Sequence, residues 1–300
     1  KPGVNIWRRF HWSPDGRSFI GSAVGQKPRM YQIDAATGQA TIVVDGGSQP
    51  VWSRDGQGIL YVKLPTSRIV QRDLQTQDEK DVVAPGNPLF DGRLDFWFDP
   101  SPDGRQLALL GAPNGQSMAL WLISVDGGGS REQLKVNTPG TFGGSLVWTR
   151  DGKLVLFTQQ GGDEKQRGLW YISASGGEPR KVALSGVEAK NVTRFAMHPD
   201  GKQLALTAQG TGKSEVWAVA NFLPPLAESA PATAAAAAAR QQPVPAGPST
   251  RQVWADAVDY SPLMGAASPD GKYLAYVDWQ SGHVAVRELA TGTNRRLSKQ

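Results

Sequence analysis

The chain has 300 residues, no cysteine and a formal net charge of +5. Without cysteine it has neither a disulfide framework nor thiolate chemistry, and no stretch approaches the roughly 18 consecutive apolar residues that a membrane-crossing helix needs. Its 32 lysines and arginines are scattered rather than run together, which argues against nucleic-acid binding.

Glycine (35) and proline (21) are frequent in a chain that is 39% apolar. That combination signals many tight turns around a core rather than disorder. The first residue is Lys1, not methionine, which points to a removed signal peptide or an upstream domain.

Taken in order, the sequence returns six times to one turn. It reads Ser13-Pro14-Asp15-Gly16, Ser53-Arg54-Asp55-Gly56, Ser101-Pro102-Asp103-Gly104, Thr149-Arg150-Asp151-Gly152, His198-Pro199-Asp200-Gly201 and Ser268-Pro269-Asp270-Gly271. From aspartate to aspartate the spacings are 40, 48, 48, 49 and 70 residues. A period of roughly 40–50 residues belongs to a propeller or solenoid. In such a turn proline presets φ, aspartate bonds back to the backbone and glycine accepts positive φ.

Within the first copy the sequence predicts strands at Ile6–Ser13, Arg17–Val24, Pro28–Asp34 and Gln39–Asp45. The later copies repeat the plan, with second strands such as "RQLALLGA" and third strands such as "ALWLISVDGG". Helical periodicity is nearly absent. Four short strands per repeat make a propeller blade.

The fifth copy is interrupted by Pro224–Thr250, which is rich in alanine, proline and small polar residues and reads as a linker or insertion. Beyond it, Arg251–Asp256 ("RQVWAD") is similar to the fourth strand "REQLKV". Removing the 27-residue insertion from the spacing of 70 leaves 43, inside the normal range. The expected organisation is therefore blades one to five over residues 1–223, a linker over 224–250, and the last strand of blade five plus blade six over 251–300. The alternative makes 251–300 the first blade of a second, truncated propeller. In the six-blade reading the sequence starts on a first strand and ends on a fourth, so closure is expected from side-chain packing alone.

The Ser-Pro-Asp-Gly turns, the tryptophans before several of them and third strands such as "ALWLISVDGG" resemble the TolB-like, WD-repeat-like propeller repeats of bacterial periplasmic and surface proteins. The resemblance covers nearly the whole sequence apart from Pro224–Thr250. It implies an all-β, six-bladed antiparallel propeller with four strands per blade. That repeat also serves prolyl-oligopeptidase-like peptidases, oligogalacturonate-lyase-like enzymes and appendages of sensors, so fold alone does not settle function.

Candidate chemistry is sparse. The six turn aspartates read as turn formers rather than a carboxylate ring. Trp12, Trp52 and Trp148, two residues before their turns, and Trp121, Trp170 and Trp217 on third strands, read as packing residues. His11, His198 and His283 form no close pair and no zinc-binding spacing. No Gly-x-Ser-x-Gly elbow or phosphate-binding loop occurs.

The first strands, which surround the axis, are more informative. Five residues before the turn proline position stand Arg9, Gln49, Trp97, Ser145, Arg194 and Met264; three before it stand His11, Val51, Asp99, Val147, Ala196 and Ala266. Because side chains alternate along a strand, Arg9, His11, Asp95, Trp97, Asp99 and Arg194 are expected near the channel mouth. They would hold an acidic peptide or sugar through arginine–carboxylate pairs; the plainer reading is channel lining with internal ion pairs.

The sequence is thus read as a non-catalytic binding or scaffolding module for a protein segment or peptide. It is expected to be monomeric, without cofactor or metal, and periplasmic or extracellular. The alternatives are a lyase or glycosidase acting on acidic sugars at the channel, and the gating propeller of a peptidase.

Overall fold

The computed structural model describes residues 7–23, 28–66, 68–82, 96–111, 118–125, 130–136, 145–159, 166–184, 187, 192–198, 201–209, 214–223, 249–257, 266–278 and 283–297. These residues form six four-stranded antiparallel sheets, each built from strands consecutive in sequence. The protein is a six-bladed β-propeller.

Blade one contains β1 (Trp7–Trp12), β2 (Ser18–Ala23), β3 (Arg29–Asp34) and β4 (Ala40–Asp45). Blade two contains β5 (Gly47–Trp52), β6 (Gly58–Lys63), β7 (Arg68–Asp73) and β8 (Glu79–Asp81), and blade three β9 (Phe96–Pro100), β10 (Gln106–Gly111), β11 (Met118–Ser124) and β12 (Ser130–Val136). Blade four contains β13 (Leu146–Trp148), β14 (Leu154–Gln159), β15 (Gly168–Ser173) and β16 (Arg180–Lys181). Blade five contains β17 (Val192–Met197), β18 (Gln203–Gln209), β19 (Ser214–Ala220) and β20 (Ser249–Ala257), and blade six β21 (Ala266–Ala267), β22 (Tyr273–Asp278), β23 (His283–Glu288) and β24 (Asn294–Arg296). The fourth strand of blade five starts at Ser249, slightly before the expected Arg251, and pairs with β19. Residues 224–248 of the insertion lie outside the described residues.

The turn between first and second strands is held the same way in five blades. In blade one the Ser13 hydroxyl donates to Asp15 Oδ1 at 2.6 Å, and the backbone N–H of Arg17 donates to the same oxygen at 3.0 Å. The Ser18 N–H donates to Ser13 Oγ at 3.0 Å. Ser53–Asp55, Ser101–Asp103, Thr149–Asp151 and Ser268–Asp270 repeat the hydroxyl–carboxylate bond at 2.5–2.6 Å. The turn glycines share one left-handed conformation, with φ from +66° to +73°, which a side chain would strain.

The apolar residues gather between blades rather than within them. Buried residues of blades one and two (Ile20, Met30, Trp52, Tyr61 among them) make one cluster, blades two and three another around Val62 and Leu107, and blades three and four a third around Leu120 and Phe157. Blades four and five share a cluster around Leu156 and Leu206. Between blades five and six only Val216 and Leu274 are fully buried among the described residues. That seam relies on half-buried Trp254, whose ring meets Tyr276 edge-on at 5.3 Å and Arg287 Cζ at 4.4 Å.

Among the described residues, blades one and six share no strand where the ring closes. Phe10, Trp12, Phe19 and Ile33 pack against Ala275, Val277, Val284, Val286 and Leu297. Trp12 Nε1–H donates to the Ala266 carbonyl at 2.7 Å, and Arg295 Nη1 and Nη2 donate to the carbonyls of Ala36 and Ala35 at 2.8 and 2.6 Å. Among the described residues this closure rests on side chains. Its core is nevertheless among the fuller ones, and the thinnest described seam lies between blades five and six.

Gly38 tests the closure. Its φ is +75°, and a Cβ there would lie 1.9 Å from the Leu297 carbonyl oxygen of blade six. Gly104, with φ +70°, has open space at the same point. Gly104→Ala should cost about 1 kcal/mol from conformation alone, whereas Gly38→Ala should cost at least about 2 kcal/mol because the seam must part. Urea unfolding of the two variants measures the difference; equal costs would mean that the seam has room to spare.

Candidate functional site

The first strands line a central cavity of ≈ 620 Å³, and its walls include a residue from every blade. All six residues three before the turn position are in the wall: His11, Val51, Asp99, Val147, Ala196 and Ala266. So are Gln49, Trp97, Ser145 and Arg194 from the position five before it. At one mouth the wall reaches the turn residues Pro14, Arg54, Pro102, Arg150, His198 and Pro269. Bulges interrupt the first-strand pairing between Arg8 and His11, Ser48 and Val51, and Val192 and Arg194. Gln49, inside one of them, has φ +57°. A bulge bends the strand and re-aims the side chains on it, so these walls are not simple alternations.

Of the residues expected at the mouth, the structure brings together His11, Trp97, Asp99 and Arg194. Asp95 and Met264 lie outside the described residues, as does the side chain of Arg9.

Asp99 is committed to the fold. Its side chain is 7% exposed, and Oδ2 accepts from Arg54 Nη2 at 2.9 Å and from the Trp148 N–H at 2.9 Å. Trp148 Nε1–H donates to the Asp99 carbonyl at 3.0 Å, and Arg54 Nε donates to the Pro100 carbonyl at 3.0 Å. One carboxylate thus joins blades two, three and four.

His11 does the same at the next seam. Its Nδ1 accepts from the Trp52 N–H at 3.3 Å, which leaves the imidazole proton on Nε2. Burial pushes its pKa from 6.5 down to about 4; the nearby Asp99 charge opposes this and the Arg54 charge adds to it. Ser145 Oγ accepts from the Phe195 N–H at 3.4 Å between blades four and five. Neither His11 nor Asp99 takes part in a three-residue metal-ligand cluster, and none occurs among the described residues.

Arg194 stands over the Trp97 ring, its Cζ 5.5 Å from the centroid. Burial pushes its pKa down to about 10, so it keeps its charge at neutral pH. Asp99 is occupied by Arg54, and the other described arginines that line the cavity are Arg150 and Arg194. The arc of blades four and five is therefore the basic side. Sequence reasoning missed Arg54 and Arg150, although both are visible as arginines where other turns have proline.

Trp12, Trp52 and Trp148 are buried between blades, and Trp121, Trp170 and Trp217 pack at the edges of the cores.

No protein-family model matches the sequence, and no curated protein does. Solved structures do match. TolB from Acinetobacter baumannii superposes with a TM-score of 0.66 at 16% identity over 99% of this protein, and a putative TolB from Agrobacterium tumefaciens with 0.60 at 15% over 87% of this protein and 84% of that one. The likeness is one of fold. The β-propeller domain of the Trilobed protease from Pyrococcus furiosus, described as having an open velcro topology, matches with a TM-score of 0.59 at 11% identity over 98% of both proteins. The 300 residues span 64% of the length of the Acinetobacter TolB.

Two outcomes test these assignments. Arg54→Met should destabilise the fold by about 2–3 kcal/mol, because it strands a buried carboxylate, discounted for the partial exposure of the arginine; Arg54→Met combined with Asp99→Asn should recover much of that loss. Chemical denaturation reads both, and a double variant as unstable as the single one would remove Asp99 from this role. The second concerns pH. The folded imidazole of His11 is harder to protonate than the unfolded one, so its contribution is complete above pH 6.5 and is lost as pH falls toward 4. His11→Gln should flatten the stability curve in that window, and a slope unchanged from wild type would refute the assignment.

Proposed function

We propose that this propeller is a non-catalytic binding or scaffolding module, and that its channel mouth receives an acidic segment of a protein or peptide. One observation carries the reading: a cavity of ≈ 620 Å³ is walled from all six blades and has an aromatic residue, Trp97, in its wall beside Arg194. A cavity of that size accommodates a few residues of an extended peptide, and rigid walls with a few convergent polar groups are what recognition sites use. The guanidinium groups of Arg150 and Arg194 in the wall set the preference for carboxylates.

A sugar lyase or glycosidase would need a free acid or base in this cavity. Of the described acids and bases in its wall, Asp99 and His11 are instead occupied in holding blades together, and His198 lies in the blade-five turn at the mouth. The resemblance to TolB-like repeats supports a role in the bacterial envelope, as a monomeric part of a larger periplasmic or surface protein. No helix among the described residues is long and apolar enough to cross a membrane.

Panning a displayed peptide library against the protein tests the reading. Enriched peptides should be acidic and should lose about tenfold in affinity on Trp97→Ala or Arg194→Ala, but nothing on Ile42→Ser at the exposed outer edge of blade one. Peptides that respond to Ile42 and ignore Trp97 would move the site away from the channel.

A further inference from the structure

The two turn arginines occupy equivalent places in blades two and four, yet they lie differently. Arg54 reaches the next blade, where it meets Asp99 and the Pro100 carbonyl. The turn glycine of that blade, Gly104, is left uncovered, with nothing within 4 Å of a Cβ. Arg150 instead rests its stem on the next turn glycine, 3.7–3.8 Å from a Cβ on Gly201. The residue three before the turn explains the difference: it is Asp99 in blade three and Ala196 in blade five. Both Ala196 and Arg150 line the cavity. Arg150 is exposed and has no hydrogen bond or ion pair among the described residues.

In blade three, then, the protein fills a carboxylate socket with its own side chain. The donors are the guanidinium of the preceding turn and the N–H of Trp148, two residues before the following turn. In blade five the corresponding residues are Arg150, Ala196 and Ala267, and Ala267 also faces the cavity. We propose that the space over Ala196 is a carboxylate-binding subsite, in which Arg150 leaves Gly201 and grips an acidic group of the bound partner as Arg54 grips Asp99. The charge of Arg194, two residues before Ala196 on the same strand, reinforces it. The subsite deepens the reading of the channel mouth as a partner's site and rests on it. The carboxylate could belong to an acidic residue or to the C-terminus of a peptide.

Two sets of measurements separate the socket from the wider reading. The first needs no ligand. Ala196→Asp supplies the missing carboxylate, so it should be more stable than Ala196→Asn, and Arg150→Gln should abolish the difference. If Ala196→Asp is the less stable of the two, the carboxylate has been buried without a partner and the socket is refuted.

The second uses acetylated tetraglutamate amide, acetylated tetraglutamine with a free C-terminus, and acetylated tetraglutamine amide as control, each titrated into protein with nitrogen-15-labelled arginine. At least one carboxylate peptide should shift the Arg150 Nε–H resonance and bind about tenfold more weakly to Arg150→Gln and to Ala196→Asp; which peptide does so identifies the source of the carboxylate. Peptides that bind wild type and both variants alike would leave the channel reading standing and overturn the subsite. No binding by any carboxylate peptide would overturn both.

Discussion

The fold depends on one short contact, the hydroxyl of Ser or Thr on the Oδ1 of the aspartate two residues later. With the backbone bonds around it, it fixes the angle at which each first strand passes into the second. Five such corners, with a sixth turn in blade five, make the first strands converge, and convergence creates both the cavity and the inter-blade seams. In blade five His198 stands in the serine's place, and its turn is closed by the backbone bonds from His198 N–H to Gln203 and from Gly201 N–H to His198. The corner therefore tolerates loss of the hydroxyl where its neighbours are intact.

Polar groups near the axis serve the ring before they serve a ligand. His11, Asp99 and Ser145 each accept a backbone N–H from the following blade. Buried donors that would otherwise go unmet in a curved wall are expensive, and a short polar side chain at the blade boundary meets them at little cost in packing. Where the first-strand residue is Val51, the corresponding position of the next blade is Pro100, which has no N–H to satisfy. Structure and chemistry thus compete for the same few positions.

Much of this was legible in the sequence. The turns gave the period, the period gave the blades, and counting back from each turn picked out the channel lining, including Trp97, Asp99 and Arg194. The pairings were not legible. Arg54 and Asp99 are 45 residues apart, and nothing in either strand's pattern announces that an arginine in a turn reaches into the next blade. The bulges near His11, Val51 and Arg194 were also invisible, since alternation at period two reads the same until pairing is known. Nor could composition rank the seams, because each core draws on two blades and the contribution of Trp254 comes from a strand that follows a long insertion.

The closure between blades one and six has a mechanical side. Strands hydrogen-bonded in a ladder resist a pull collectively, but among the described residues this seam offers a pull packed side chains, the Trp12–Ala266 bond and the two bonds from Arg295. Tension applied to the two ends of the propeller would act across that line first, opening the ring as a clasp opens while leaving each blade whole. A segment lying in the channel touches both sides of the clasp. In a protein anchored at one end and loaded at the other, occupancy of the channel and resistance to force would then be two readings of the same equilibrium.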